Sequence, residues 1–454
     1  MKLKCIIFSF CLILSCFIGI ETRADSEQYI VYLKQRNSSF SKSGESYGKR
    51  YEVVDGDTLS KYLSCGMVEF YEPDYEIKPF DDFSVRGAGQ WNMDAINVQK
   101  AWDIGCYGNN VTVAVIDSGA YAHPDLANNL LVGHNYIDNN SDTSDDIGHG
   151  TYVSGIIAAQ ANGEYIDGVA SRAKIVPLKC FAKGKSTQIS MLSDAIYDAV
   201  DVYHADVINM SFGMVESLTT RTFQLAIQYA IQSGCIVVAA VGNGGNSTIY
   251  YPAKYDGVIG VGSVGSNLTI SSFSQHNTTV DVVAPGGGVS SVSIDGFNKN
   301  SGTSFACPHV AAMAAIAKCI KSDIVAAEFQ MLLEETSKDL GATGYDTSYG
   351  YGLINIEAMI NKMLENTPVF MSPVDDKGEN ITVTVYNNSE SLLNAIGIAA
   401  EYENNIFQDI NIIDISLSSK KTAKISSEKG NVKFMLWQNL WDMFPLTQHR
   451  QYNQ

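Results

Sequence analysis

Basic residues are scarce: 31 Lys and Arg stand against 49 Asp and Glu, a formal net charge of −18 over 454 residues. Binding to a phosphate backbone rests on Lys and Arg displacing condensed counterions, so nucleic acid is excluded as a natural partner. Thiol-based metal chemistry is missing too, because the nine cysteines form no CxxC pair and no Cys/His cluster of the kind that holds zinc. Long apolar runs are confined to the extreme N-terminus, and no membrane span is expected in the mature chain. No low-complexity or collagen-like repeat occurs among the 38 glycines. With 45% hydrophobic and 18% charged residues, the composition is that of a globular chain.

The one long apolar run, Cys5 to Ile20, follows Met1-Lys2-Leu3-Lys4 and gives way to Glu21-Thr22-Arg23. This is signal-peptide order, with small residues at Thr22 and Ala24 and cleavage expected after Ala24. A retained anchor is the alternative, weakened because the stretch is shorter than the ~20 residues that span a bilayer. Ile13-Leu14-Ser15-Cys16 is a weak lipobox, but apolar residues run on past Cys16. The expected destination is extracellular or the cell envelope. Cys5, Cys11 and Cys16 leave with the signal and Cys65 falls in the next segment. Cys106, Cys180, Cys235, Cys307 and Cys319 remain, an odd set that reads as buried free thiols rather than a disulfide framework.

The length exceeds one ordinary domain. Segment 25–88 holds two strand-like stretches, YIVYLKQ in the pattern of an edge strand and VEFYEP, around a polar middle, and reads as a small α+β unit. The polar, glycine-bearing stretch DDFSVRGAGQ that closes it is accessible to proteolysis and marks a processing boundary. Between 89 and 363, short apolar runs such as VTVAVID, AKIVPLKC, DVINMSF, CIVVAAVG and VIGVGSV alternate with helical patterns at 188–202, 218–233, 304–320 and 324–336. That alternation predicts an α/β domain with a doubly wound, mostly parallel sheet, whose ligands gather beyond the carboxyl ends of the strands. From 364 to 454 the pattern turns to period-2 segments without helices, the sign of a small β-sandwich.

Asp117 ends the first apolar run and is followed by Ser118-Gly119. His149 lies in Asp146-Ile147-Gly148-His149-Gly150-Thr151 at the start of a buried helix, and Ser304 lies in Ser301-Gly302-Thr303-Ser304-Phe305 at the start of another. Taken singly, an aspartate or serine there serves as a helix cap and a lone histidine is structural. Together they supply what a serine nucleophile needs: a base to take its proton and an acid to hold that base in one tautomer. Asn243, in a glycine-rich turn after CIVVAAVG, offers a side-chain amide to a developing oxyanion, with the Ser304 backbone N–H as the second donor.

The motifs IDSG, GHGT with VSG after it, INMSFG, AAVGN, GTSFACPHVA and YGYGLINIEA occur in the order and spacing of the subtilisin family, over roughly residues 91 to 360. The chain therefore resembles a subtilisin-type serine endopeptidase. The resemblance implies a subtilisin-like catalytic domain at 89–363, a signal peptide at 1–24 and an inhibitor-like propeptide at 25–88 that acts on its own enzyme as chaperone and inhibitor. A separate binding domain is the alternative for 25–88. It also implies polypeptide substrates held as an added β-strand on Ser211, Phe212 and Gly213, with Gly242 walling the S1 pocket. Tyr250 aligns with a small residue at the base of S1, which predicts a shallow pocket. Calcium is implied by Asp125 and Asn162, with main-chain carbonyls of Gln160, Glu164 and Ile166; the family's N-terminal ligand has no evident counterpart. Tyr152 stands where the family usually has a histidine and Phe305 where it often has methionine. No cofactor is expected for catalysis, and a monomer is expected. The alternatives are a silent binding protein, disfavoured by the intact triad and Asn243, and a maturation protease with a single partner. Gly244 and Gly245 supply no acidic lining for basic P1 residues.

Overall fold

The computed structural model describes residues 28–33, 51–77, 83–85, 90–163, 166–376, 380–403, 406–428, 430–438 and 445–452. The signal-peptide assignment at 1–24 and the expected end of the propeptide near 88 lie outside the described residues. Contacts divide the chain into two compact units, one of 28–33 with 51–76 and the other from Ile77 onward.

The first unit is a three-stranded antiparallel sheet in the order Tyr51–Asp55, Gln28–Leu33, Val68–Pro73, with the helix Gly56–Ser64 between its second and third chain segments. The helix is capped by Asp55, whose Oδ1 accepts from Thr58 N at 2.7 Å. Sequence places YIVYLKQ at an edge, but it is the centre strand. Ile30 and Val31, on opposite faces, are both fully buried, so the strand has no open side.

In the second unit seven parallel strands run in the spatial order Val282–Pro285, Val258–Val264, Ile236–Ala240, Val207–Met210, Thr112–Asp117, Lys174–Lys179, His134–Asn135. Ile236–Ala240 and Val207–Met210 are buried at every position. Strands covered on both faces read as unbroken apolar runs rather than alternating ones. The helix Thr303–Ile320, rich in alanine, packs on the sheet with the helix His149–Ala158 beside it. Thr303–Ile320 is buried on all sides, as a helix apolar all round must be.

Pro308 is the sixth residue of Thr303–Ile320, beyond the first turn in which a helix tolerates proline. A proline there has no N–H for the carbonyl four residues back, which is that of Ser304. Ser211 Oγ replaces the missing donor, hydrogen-bonding Ser304 O at 2.9 Å.

Residues beyond 364 form two antiparallel sheets that share a core including Ile381, Val383, Val385, Ala399, Phe434 and Leu436. One sheet is Val369–Met371, Asn380–Asn387, Thr422–Glu428; the other is Ile406–Leu417, Leu393–Glu403, Asn431–Trp437, Arg450–Tyr452. The first of these sheets is docked on the α/β core: Arg172 pairs with Asp375 at 2.8 Å, and Phe370 and Tyr386 join the main apolar cluster.

Candidate active site

Asp117 and Asn243 stand at or just beyond the carboxyl edge of the parallel sheet, and His149 and Ser304 at the starts of helices. Asp117 is the last residue of Thr112–Asp117 and is 2% exposed. Its carboxylate meets His149 Nδ1 through Oδ1 at 2.7 Å and Oδ2 at 2.9 Å, while Ser118 N donates to Oδ1 at 2.7 Å. A carboxylate can only accept from Nδ1, so the proton of neutral His149 sits on Nδ1 and Nε2 is the basic nitrogen.

Two residues outside the sequence-based set hold this pair. Asp145 accepts from Ile147 N and Gly148 N on Oδ1, at 3.0 and 2.8 Å, and from Thr151 N and Oγ1 on Oδ2, at 2.9 and 2.6 Å. One carboxylate thus serves the donors around the first turn of the His149 helix, whose own cap residue, Gly148, has no side chain to offer. Lys179, 4% exposed, gives its ammonium protons to Ser118 O, Ser144 O and Asp146 Oδ1 at 2.8, 2.9 and 2.7 Å. It ties the segment after Asp117 to the segment before His149.

Ser304 is fully buried, and its Oγ makes no hydrogen bond among the described residues. As the second residue of its helix it lies in the first turn, where the helix provides no acceptor for its backbone N–H. Asn243 Oδ1 accepts from both Thr303 N and Thr303 Oγ1 at 2.8 Å, which fixes which end of the amide is oxygen and which is the NH2 donor. Gly242 N donates to Thr303 Oγ1 at 3.2 Å, so the Asn243 turn and the Ser304 turn are laced together one residue before the nucleophile.

Ser211, Phe212 and Gly213 continue directly from Val207–Met210; Phe212 is buried against Phe181 with ring centroids 5.3 Å apart. Tyr250 pairs with Val215, and its ring lies against Gly242: a Cβ built there would be 2.9 Å from Tyr250 Cδ2.

Asp125, Gln160, Asn162 and Ile166 come together in one loop cluster; Glu164 lies outside the described residues. Asp125 is 1% exposed, accepts from Asn162 Nδ2 at 2.8 Å, and pairs with no Lys or Arg among the described residues. Burial raises its carboxyl above the usual range despite the Asn162 bond. Gln90, missed in the sequence, hydrogen-bonds both Asp167 N and Asp167 O beside this loop, at 2.9 and 2.7 Å.

A model of the subtilase family matches residues 108–352, more than half of the chain. The chain belongs to the subtilase family. It is 37% identical over 295 residues to the thermophilic serine proteinase of Bacillus sp. (strain AK1), covering 64% of this chain and 72% of that protein. It is 35% identical over 269 residues to subtilisin Savinase of Lederbergia lenta, 59% of this chain and 97% of that one. The match to the minor extracellular protease Epr of Bacillus subtilis (strain 168) is 38% over 274 residues, 59% of this chain but 41% of that one. A solved protease structure from Pseudoalteromonas arctica PAMC 21717 aligns with TM-score 0.55 and 33% identity, over 59% of this chain and 94% of that chain. The protein is accordingly a serine endopeptidase, a hydrolase acting on polypeptides. The matched span holds Asp117, His149, Asn243 and Ser304, and it ends before the two-sheet region.

Proposed function

We propose that this subtilase cleaves peptide bonds through an acyl-enzyme on Ser304, with Asp117 and His149 completing a catalytic triad. The two-oxygen contact of Asp117 with His149 Nδ1, at 2.7 and 2.9 Å, carries the reading. Ser304 Oγ attacks the scissile carbonyl while His149 Nε2 takes the hydroxyl proton, and Asp117 stabilises the resulting imidazolium. The oxyanion of the tetrahedral intermediate receives the Ser304 N–H and the Asn243 NH2. As the C–N bond breaks, His149 returns its proton to the leaving amine. Water, deprotonated by the same imidazole, then displaces the acyl group and frees Ser304 Oγ.

Substrate is read as an added strand along Ser211, Phe212 and Gly213, with a shallow S1 pocket walled by Gly242 and filled by the Tyr250 ring. The chain is read as a secreted zymogen, with signal 1–24, propeptide 25–88, catalytic domain 89–363 and β domain 364–454; the name of the Bacillus subtilis relative supports the extracellular assignment. A structural calcium is read at Asp125 and Asn162 with the carbonyls of Gln160, Glu164 and Ile166. The residues fit a hard cation: no Lys or Arg among the described residues pairs with the buried Asp125 carboxylate, and turning the Asn162 amide would present oxygen in place of Nδ2.

One experiment tests the set. The full precursor and its Ser304→Ala form are analysed by intact mass, casein digestion and melting with calcium or chelator. The wild type loses its N-terminal segment and digests casein, whereas the alanine form stays full length, is inactive and melts higher with calcium. A wild type that does neither overturns the protease reading for Ser304, and a melting temperature indifferent to calcium removes the ion.

A further inference from the structure

Tyr152 and Phe305, the two departures from the family pattern near the triad, touch each other. Their ring centroids are 4.6 Å apart, and the Phe305 ring lies 5.6 Å from that of His149. Both are buried, at 1% and 2% exposure. Tyr152 sits three residues after His149, hence one helical turn along on the same side.

The phenol reaches into the hairpin of Val289–Ser293 and Gly296–Ser301, which leads through Gly302 to Ser304. Its one hydroxyl proton is shared between Val289 O at 2.5 Å and Asn298 O at 2.9 Å, and its oxygen accepts from Asn300 N at 3.0 Å. The backbone beneath is held as well: Ser291 Oγ donates to Tyr152 O at 2.7 Å. At Gly155 a Cβ would stand 2.4 Å from Ser291 Oγ, so the helix seats directly on the hairpin. A histidine ring is shorter than a phenol and carries no oxygen at that reach.

We propose that Tyr152 is a positioning residue whose hydroxyl locks the helix bearing His149 to the hairpin that delivers Ser304, with Phe305 transmitting the constraint to the imidazole. This rests on the triad reading above. Proton transfer between a base and its nucleophile tolerates little misplacement, and a shift of about 1 Å from a remote change costs on the order of 10²-fold in rate. Tyr152 makes that alignment depend on three hydrogen bonds from one side-chain oxygen.

Tyr152→Phe keeps the ring and removes all three bonds. Mature enzyme is titrated with a fluorophosphonate to count reactive sites, and kcat and KM for a peptide substrate are measured well below the melting temperature. The expected result is a kcat per titrated site about 10-fold lower with KM changed less than about twofold, and fluorophosphonate labelling slowed in step. Val383→Ala, buried in the β region, is the stability control and lowers melting without changing kcat per site. If Tyr152→Phe folds poorly, Tyr152→His provides the same comparison. Unchanged kcat per site in the variant, or an equal loss in Val383→Ala, overturns the positioning role while leaving the triad intact. A wild type that is not labelled at Ser304 overturns the triad reading itself, and the positioning role with it.

Discussion

The Tyr250 ring rests on Gly242, one residue before Asn243, and on the proposed reading of Gly242 as the S1 wall it would fill space that a deep pocket needs. The wild type should therefore favour Gly or Ala at P1. Tyr250→Ala should raise kcat/KM for a P1 Phe peptide by about 10-fold or more, the scale of discrimination that pocket volume provides. A P1 panel checks this, and rapid wild-type cleavage after Phe sinks it. Single residues are also where the sequence was most and least informative. The placement of Asp117, His149, Asn243 and Ser304 was legible because each follows or ends an apolar run or opens a buried helix, a local pattern. Lys179 was not, since the acceptors that explain a buried lysine, Ser118 O, Ser144 O and Asp146 Oδ1, come from segments that only the fold brings together. The contact of Tyr152 with the hairpin at 289–300 is hidden for the same reason.

The element that shows most plainly how one sequence choice forces another is Thr303–Ile320. Pro308 leaves Ser304 O without its intrahelical donor and Ser211 Oγ replaces it, while Asn209 Nδ2 donates to Ser211 Oγ at 2.9 Å. In a Ser304→Ala background, which prevents self-digestion, Ser211→Ala should cost about 2 kcal/mol by leaving buried groups unsatisfied. With Pro308→Ala present, the restored N–H takes the carbonyl and that cost should fall by about 1 kcal/mol. Urea denaturation of the four proteins measures the coupling; strictly additive effects would show that Ser211 does not compensate the proline. Among strands, five of the seven in the parallel sheet were legible as unbroken apolar runs, while the short edge strands His134–Asn135 and Val282–Pro285 were not, and neither was Leu393–Glu403. Its core, Ala395-Ile396-Gly397-Ile398-Ala399-Ala400, carries alanine and glycine that strand propensity disfavours. The glycine is there for close approach: a Cβ at Gly397 would lie 2.7 Å from Ile425 Cδ1 of the facing sheet.

Across the whole molecule, two groups, the buried His309 and the partly buried Asp281, titrate in opposite senses in acid. His309 is fully buried on the Ser304 helix. Its Nδ1 donates to Phe305 O at 2.8 Å and Nε2 accepts from Asn92 Nδ2 at 2.9 Å. Burial pulls its pKa down to about 4, so below the unfolded value of 6.5 only the unfolded chain gains the proton and stability is lost as pH falls. Burial pushes Asp281 up to about 6 from 3.8, despite the bond from Gly260 N, so the folded state binds the proton first and stability is gained over nearly the same window. The two contributions largely cancel in the native chain. Asp281→Asn keeps an oxygen for Gly260 N and removes the titration. In the Ser304→Ala background, stability between about pH 7 and about pH 4.5 should then drop by about 2 kcal/mol more than in the parent. Comparing the two proteins removes the contribution of every other titrating group, so parallel stability curves from urea denaturation across that range would show that Asp281 does not hold the acid limb.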